Sequence, residues 1–160
     1  MTTINHIKDL TPDPKNVRRH TPRNIGMIER SLNEFGAARS IVVDEDGVIL
    51  AGNGLVEAAA QAGIERVQVV EADGDTIIAV RRSNLTPEQK TKLALFDNRT
   101  TDLSEFDPAL LAALAGEVDL SGLYYDEEIA QLLADAGVVP NGGASDEASV
   151  MVCPSCGHVF

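Results

Sequence analysis

The sequence predicts an α/β fold of the α+β kind: a small mixed sheet with packed helices, then an acidic helical extension and a tethered Cys-x-x-Cys tail. Three observations predict it. The stretch SIVVDEDGVILAG sets two short apolar, β-branched runs around Asp-Glu-Asp-Gly, the pattern of a β-hairpin. Helical periodicity flanks it, with Ile25, Ile28, Leu32 and Phe35 before and a run from Leu55 after the glycine turn. Charge is segregated: every Lys and Arg precedes Thr100, and the last sixty residues hold eleven acids and no cation.

Taken in order, residues 1–23 read as extended or looped, because Pro12, Pro14 and Pro22 exclude a helix interior. Asn24 to Phe35 reads as a helix capped by Asn24 and stopped by Gly36. After the hairpin, Leu55 to Ala62 reads as a helix ended by Gly63. RVQVVEA (66–72) alternates like a half-buried strand, Asp73-Gly74 turns, and TIIAVRR (76–82) reads as a further strand. NLTPEQKTKLALFDNRT then opens a strongly signalled helix. Thr86 is its N-cap, Pro87 its first residue and Gln89 the partner in a capping box, with an end expected near Asp97–Asn98. Asp107-Pro108 starts a helix through Leu114, and Asp126 to Ala136 a last one, before the polar linker VPNGGASDEAS.

The 160 residues suffice for one domain with a core plus an appendage, and 44% apolar content excludes wholesale disorder. No apolar run approaches the roughly 20 residues that span a bilayer, so no membrane partner is expected. The N-terminus MTTINHIKDL lacks a signal-peptide core, and the two cysteines lie together at the far end, so the expected compartment is the cytoplasm. The net charge of −12 argues against strong non-specific duplex binding. Residues 1–40, however, carry seven Lys/Arg against four Asp/Glu, so an anionic ligand should meet this part.

Four stretches could carry chemistry. In KNVRRHTPR, Arg18 and Arg19 have the forked geometry that clamps phosphate oxygens; the alternative is a solvated loop paired with carboxylates. AGNG, holding Gly52, Asn53 and Gly54, is either a close backbone approach for a ligand or a plain tight turn. In FDNRTTD, Asp97 and Asn98 offer oxygens to a hard cation such as Mg2+ while Arg99 reaches an anion; the alternative is an ordinary helix end. Cys153, Cys156 and His158, in CPSCGH, have the spacing of a zinc knuckle. They lack a fourth Zn2+ ligand in the segment, and the alternative is a free thiol pair. No nucleophile elbow, Walker lysine or dinucleotide fingerprint is present.

The order of these pieces is more specific than any one of them. A basic N-x-R-R loop precedes I-x-x-S-L-x-x-F-G, then S-I-V-V-D-x-D-G-x-I-L-A-G-N-G, E-A-A-x-x-A-G-I, L-T-P-E-Q-K and A-L-x-D-N-R. Over about residues 4–106 this resembles the ParB N-terminal (ParB/sulfiredoxin-like) domain. It is most similar to versions standing alone in phage and mobile-element genomes or fused to DNA methyltransferases. The resemblance implies that the basic loop, the glycine turn and the Asp-Asn helix end form one nucleotide or phosphate pocket. Arg18, Arg19, Gly52, Asn53, Gly54, Asp97, Asn98 and Arg99 would line it. Partition ParB proteins have Gly-Glu-Arg-Arg at the turn and sulfiredoxins Gly-Cys-His-Arg, whereas this chain has Gly52-Asn53-Gly54-Leu55. Sulfinic acid reduction is therefore not expected, and the missing arginine at Leu55 weighs against triphosphate hydrolysis.

The expected organisation is a ParB/sulfiredoxin-like domain over 1–106, an acidic helical extension over 107–139, a linker over 140–150 and a zinc-knuckle tail over 151–160. The expected function is binding of a nucleotide such as CTP or ATP, or of nucleic-acid phosphate, with Mg2+, in phage or mobile-element DNA metabolism. Any chemistry would be nucleotide hydrolysis or metal-dependent nuclease action, with Arg19 and Asp97 as catalytic candidates. The competing expectation is a non-enzymatic adaptor whose acidic helices dock a protein partner such as a methyltransferase or packaging component; a homodimer is a further candidate assembly.

Overall fold

Asp44 closes the hairpin that anchors the sheet. Its carboxylate accepts the Asp46 and Val48 N–H groups at 3.0 and 2.8 Å, which folds Asp44–Gly47 into the expected turn. The computed structural model describes residues 3–120 and 122–137. After a 3-10 turn at Ile7–Asp9 come β1 (Thr11–Pro12), β2 (Arg18–His20), α1 (Pro22–Phe35), β3 (Val42–Val43), β4 (Val48–Ala51) and α2 (Asn53–Gln61). They are followed by α3 (Pro87–Asp102), β5 (Ser104–Phe106), α4 (Pro108–Ala115) and α5 (Asp126–Asp135). The architecture is α+β, as the sequence predicts. One mixed sheet has the order β1-β4-β3, with β1 parallel and β3 antiparallel to β4, and a second pairs β2 antiparallel with β5. The chain divides into two units, Met1–Leu111 and Ala112–Phe160.

In the first unit, α1 packs on α2 through Ile25, Leu32, Ala58 and Ala59, with Ile28, Leu55, Ala62 and Ile64 partly buried around them. The two alanines allow the helices this close approach. On its other side α1 meets α3, where the Phe35 and Phe96 rings cross edge to face with centroids 5.9 Å apart. Lys92 pairs with Glu34 across the same two helices. In the second unit, α5 starts where Glu128 accepts the Tyr125 N–H at 2.8 Å, and Asp126, Glu127 and Glu128 face the positive end of the helix dipole.

The structure corrects four sequence expectations. First, α1 begins at Pro22 rather than after Asn24. Thr21 is its N-cap, its hydroxyl accepting the Asn24 N–H, and Pro22 occupies the first turn, where its missing N–H costs nothing. Second, α2 begins at Asn53, two residues before Leu55, with Gly52 as its N-cap. Third, α3 runs to Asp102 instead of ending near Asp97–Asn98. Thr100 lies one turn beyond Phe96 on the same buried face, and the Thr100 and Thr101 hydroxyls bond back to the Asp97 carbonyl at 3.0 and 3.3 Å, which keeps this polar run helical.

Fourth, residues 66–72 and 76–82 form no strands among the described residues. Val67 N–H reaches the Asn5 carbonyl and Arg66 bridges His6, but the pairing stops there. The Asp73-Gly74 turn does form, with Asp73 accepting the Asp75 N–H at 3.0 Å. Its arms have no neighbouring strand, and Val70 and Ile77 stay 52% and 94% exposed. Alternation of apolar residues gives a strand only where a partner supplies the ladder. Among the described residues no helix is long and apolar enough to cross a membrane.

Two carboxylates tie down the N-terminal segment. Asp9 accepts the Asn5 and His6 N–H groups at 3.1 and 2.9 Å. Asp107 accepts the Ala109 and Leu110 N–H groups at the start of α4 and takes an ion pair from Arg19 at 2.6 Å. Backbone donors, Leu110 foremost for Asp107 and Asn5 for Asp9, hold both carboxyls below their ordinary 3.8. Their contribution to stability is therefore present above that pH and lost as pH falls through the lower folded values.

Two outcomes test this packing. Phe96→Ala should cost about 3 kcal/mol in urea unfolding, since it empties the α1–α3 contact; a loss under about 1 kcal/mol would contradict the assigned core. Asp107→Asn keeps a cap but removes the negative charge that faces Arg19. It should lower the melting temperature at neutral pH, and the gap to wild type should close below the carboxyl's ordinary 3.8. An equal gap at both pH values would rule out the ionic part of this contact.

Candidate phosphate-binding cleft

A cleft of about 490 Å³ opens among α1, α3, the loop before β3 and the first turn of α2. Its polar walls come from Arg18, His20, Arg39, Gly52–Gly54 and Asp97, and its apolar floor from Leu32, Leu55 and Phe96. A second cleft adjoins it and shares Asn16, Arg18, His20 and Asn53.

Each wall has a local cause. Gly52 takes φ +102°, and a Cβ there would lie 2.6 Å from the Ile41 methyl, so only glycine fits between β4 and α2. No side chain caps the helix that follows, so the Asn53 and Gly54 N–H groups at its N-terminus are left for another acceptor. The Asn53 side chain is already committed: its oxygen accepts the Asp13 N–H at 3.2 Å and its nitrogen donates to the Ile49 carbonyl at 3.0 Å. Asn53 thus staples the basic loop to β4, and what it can offer a ligand is its backbone. At Gly54 a Cβ would sit 2.6–2.7 Å from three atoms of the His20 ring, so the imidazole rests directly on the first turn of α2.

Strand β2 sorts the basic cluster by alternation. Its pairing matches Arg18 with Phe106, Arg19 with Glu105 and His20 with Ser104. Arg18 and His20 therefore share the cleft face, and Arg19 points away to its ion pair with Asp107. The Arg18 guanidinium lies 4.3 Å over the Phe106 ring, a cation–π contact that limits its swing. On α3, Asp97 lines the cleft and pairs with Arg39 at 3.0 Å. Asn98 and Arg99 lie on the exposed side, with Arg99 pairing along the helix with Asp102 at 3.7 Å.

Of the residues singled out in the sequence, the structure thus brings together Arg18, Gly52, Asn53, Gly54 and Asp97. Arg19, Asn98 and Arg99 fall outside the cleft, because strand alternation and the continued helix turn them away. Two residues were not assigned to the cleft in the sequence. His20 stood inside the basic loop, and period-two alternation from Arg18 would have found it. Arg39 lies in a loop without a motif, and nothing in its sequence context signalled it. Cys153, Cys156 and His158 lie outside the described residues. Among the described residues no group of three His, Cys, Asp or Glu side chains is placed to hold a metal.

Over 86 residues the chain is 30% identical to the ParB-like nuclease domain-containing protein YnaK of Escherichia coli (strain K12). The match covers 54% of this chain and 87% of that protein. No family model and no solved structure matches the chain.

Proposed function

The chain belongs to the ParB-like nuclease domain family, and from that premise we propose that its cleft binds the phosphate of a nucleotide such as CTP or ATP, or of a nucleic-acid strand. One observation carries this reading: the uncapped N-terminus of α2 opens into the same cleft as Arg18 and Arg39. Backbone N–H groups and the helix dipole favour an anion there, and guanidinium forks favour one with several oxygens. The family's arginine position holds Leu55, which packs against the α1–α2 core. In our reading Arg18 and Arg39, arriving from other elements, take over its electrostatic task.

The reaction we assign is phosphoryl chemistry, either nucleotide hydrolysis or cleavage of a phosphodiester, in the DNA metabolism of a phage or mobile element. The relative's name, which gives a nuclease domain, supports the phosphodiester chemistry, and the order of the motifs is the ground for the setting. The donor set fits Mg2+ only as an ion carried in by substrate phosphates. Asp97 is the single carboxylate among the described residues lining the cleft, too few for a protein-built cage. Such an ion would neutralise charge on the phosphate oxygens, while Arg18 and the α2 turn hold and orient the group.

Leu55 favours a second reading, binding without turnover, in which the cleft serves an adaptor and the acidic helices dock a protein partner. Calorimetry with CTP, ATP and a short single-stranded DNA, with and without Mg2+, tests the shared premise. Wild type should bind at least one of them, and Arg18→Ala and Arg39→Ala should each weaken binding by about 10–100-fold, the loss of one charge-assisted contact. Binding to none of them, or wild-type affinity in both variants, would refute the cleft assignment. Bound ligand without product would leave the adaptor reading standing.

A further inference from the structure

Asn24 has the strictest surroundings of any polar side chain described. It is 0% exposed, at a helix position beside Ile25 where an apolar residue would be the ordinary choice. Its nitrogen donates to the Thr100 carbonyl at 2.7 Å, and its oxygen stands 2.6 Å from His20 Nδ1. These two contacts determine each other. A backbone carbonyl only accepts, so the atom facing Thr100 must be the amide nitrogen. The oxygen then faces His20, and an amide oxygen also only accepts, so Nδ1 must carry the proton. In neutral His20 the lone pair therefore lies on Nε2, which makes no hydrogen bond among the described residues.

The ring is fixed from a second side as well. It lies on Gly54, with 2.6–2.7 Å between its atoms and the place a Cβ would take, and it lines the cleft with Arg18, Arg39 and Asp97. A histidine with a set tautomer, a set plane and a bare nitrogen beside an anion site is arranged as a proton acceptor. Asp97, the one carboxylate there, is engaged with Arg39 and is the weaker candidate for that task.

We propose that His20 is the general base of this cleft, with Asn24 as the residue that positions it. The inference rests on the phosphate-binding reading above and extends it to the chemical step. A water oxygen attacks phosphorus and forms the new P–O bond while His20 Nε2 takes its proton. The bond from phosphorus to the leaving oxygen breaks, and that oxygen keeps the electron pair and takes a proton from solvent. The imidazolium returns its own proton to solvent, so the cycle closes with one water consumed.

The test combines turnover, binding and spectroscopy on the full chain. With CTP, ATP and short single-stranded DNA as probes in Mg2+ buffer, wild type should release product. His20→Ala should lose about 10²-fold or more in turnover while its affinity stays within about twofold, and added imidazole should restore part of the rate. Long-range nitrogen–proton NMR of wild type above the histidine titration should give a protonated Nδ1 and a bare Nε2. Asn24→Leu, provided its melting curve stays cooperative, should release that preference and lower turnover without changing affinity.

A wild type that binds a probe but turns none over would overturn the proposal and leave the binding reading intact. So would His20→Ala at wild-type rate, or the opposite tautomer in wild type. A wild type that binds no probe would instead remove the premise itself.

Discussion

One buried amide decides how the first unit closes. Asn24 projects from the first turn of α1 and satisfies the Thr100 carbonyl, one of the acceptors that the end of α3 leaves open. With its other end it holds His20 of β2. Leaving either polar end unpaired in a site 0% exposed would cost about 1–3 kcal/mol, so helix, helix and strand are committed to one mutual placement. The Thr21 cap, the extension of α3 to Asp102 and the β2–β5 register all serve that placement. If α3 ended at Asn98, the Thr100 carbonyl would not be there to bond.

From this junction follows a division between packing and charge. Leu55 occupies the first turn of α2 and belongs to the core between α1 and α2. The cations of the cleft come instead from β2 and from the loop before β3. Helix α2 is held by its apolar contacts and by the Asn53 side chain, and its N-terminus stays uncapped without carrying a charged side chain of its own. Arg19 and Asp107 do structural work on the opposite face of β2, fastening the strand to the start of α4. Two neighbouring arginines with the same chemistry thus have different tasks, assigned by the period of a strand.

What the sequence made legible was local. The Asp44–Gly47 turn, the Thr86-Pro87-Gln89 capping box and the stop at Gly36 each depend on atoms within a few residues, and each is found as read. The glycine turn at Gly52 and the cleft face of Arg18 were legible through the order of motifs. The helix ends were misread by a few residues for local reasons, whereas the larger misreadings depended on partners distant in the chain. Asn24 has the chemistry of a cap, but Thr21 fills that role, and the buried use of Asn24 depends on a carbonyl 76 residues away. Val67 to Val80 carries strand-like alternation, yet whether it pairs depends on a neighbouring edge that no local pattern reveals. Arg39 lines the cleft opposite Asp97 of α3, a neighbour its own loop does not signal.

That last contact also bears on the phosphate-binding reading proposed above. In the resting protein Arg39 already has an anion beside it, the Asp97 carboxylate at 3.0 Å. An incoming group must outbid this resident carboxylate, and then leaves Asp97 to the solvent or to a cation of its own. A singly charged ligand exchanges like for like and gains little. A phosphate carrying two charges, or one arriving with a divalent ion that satisfies Asp97 in the same event, gains on both sides of the exchange. On the phosphate-binding reading this half-exposed ion pair is a weak internal competitor, one that favours the more highly charged anion.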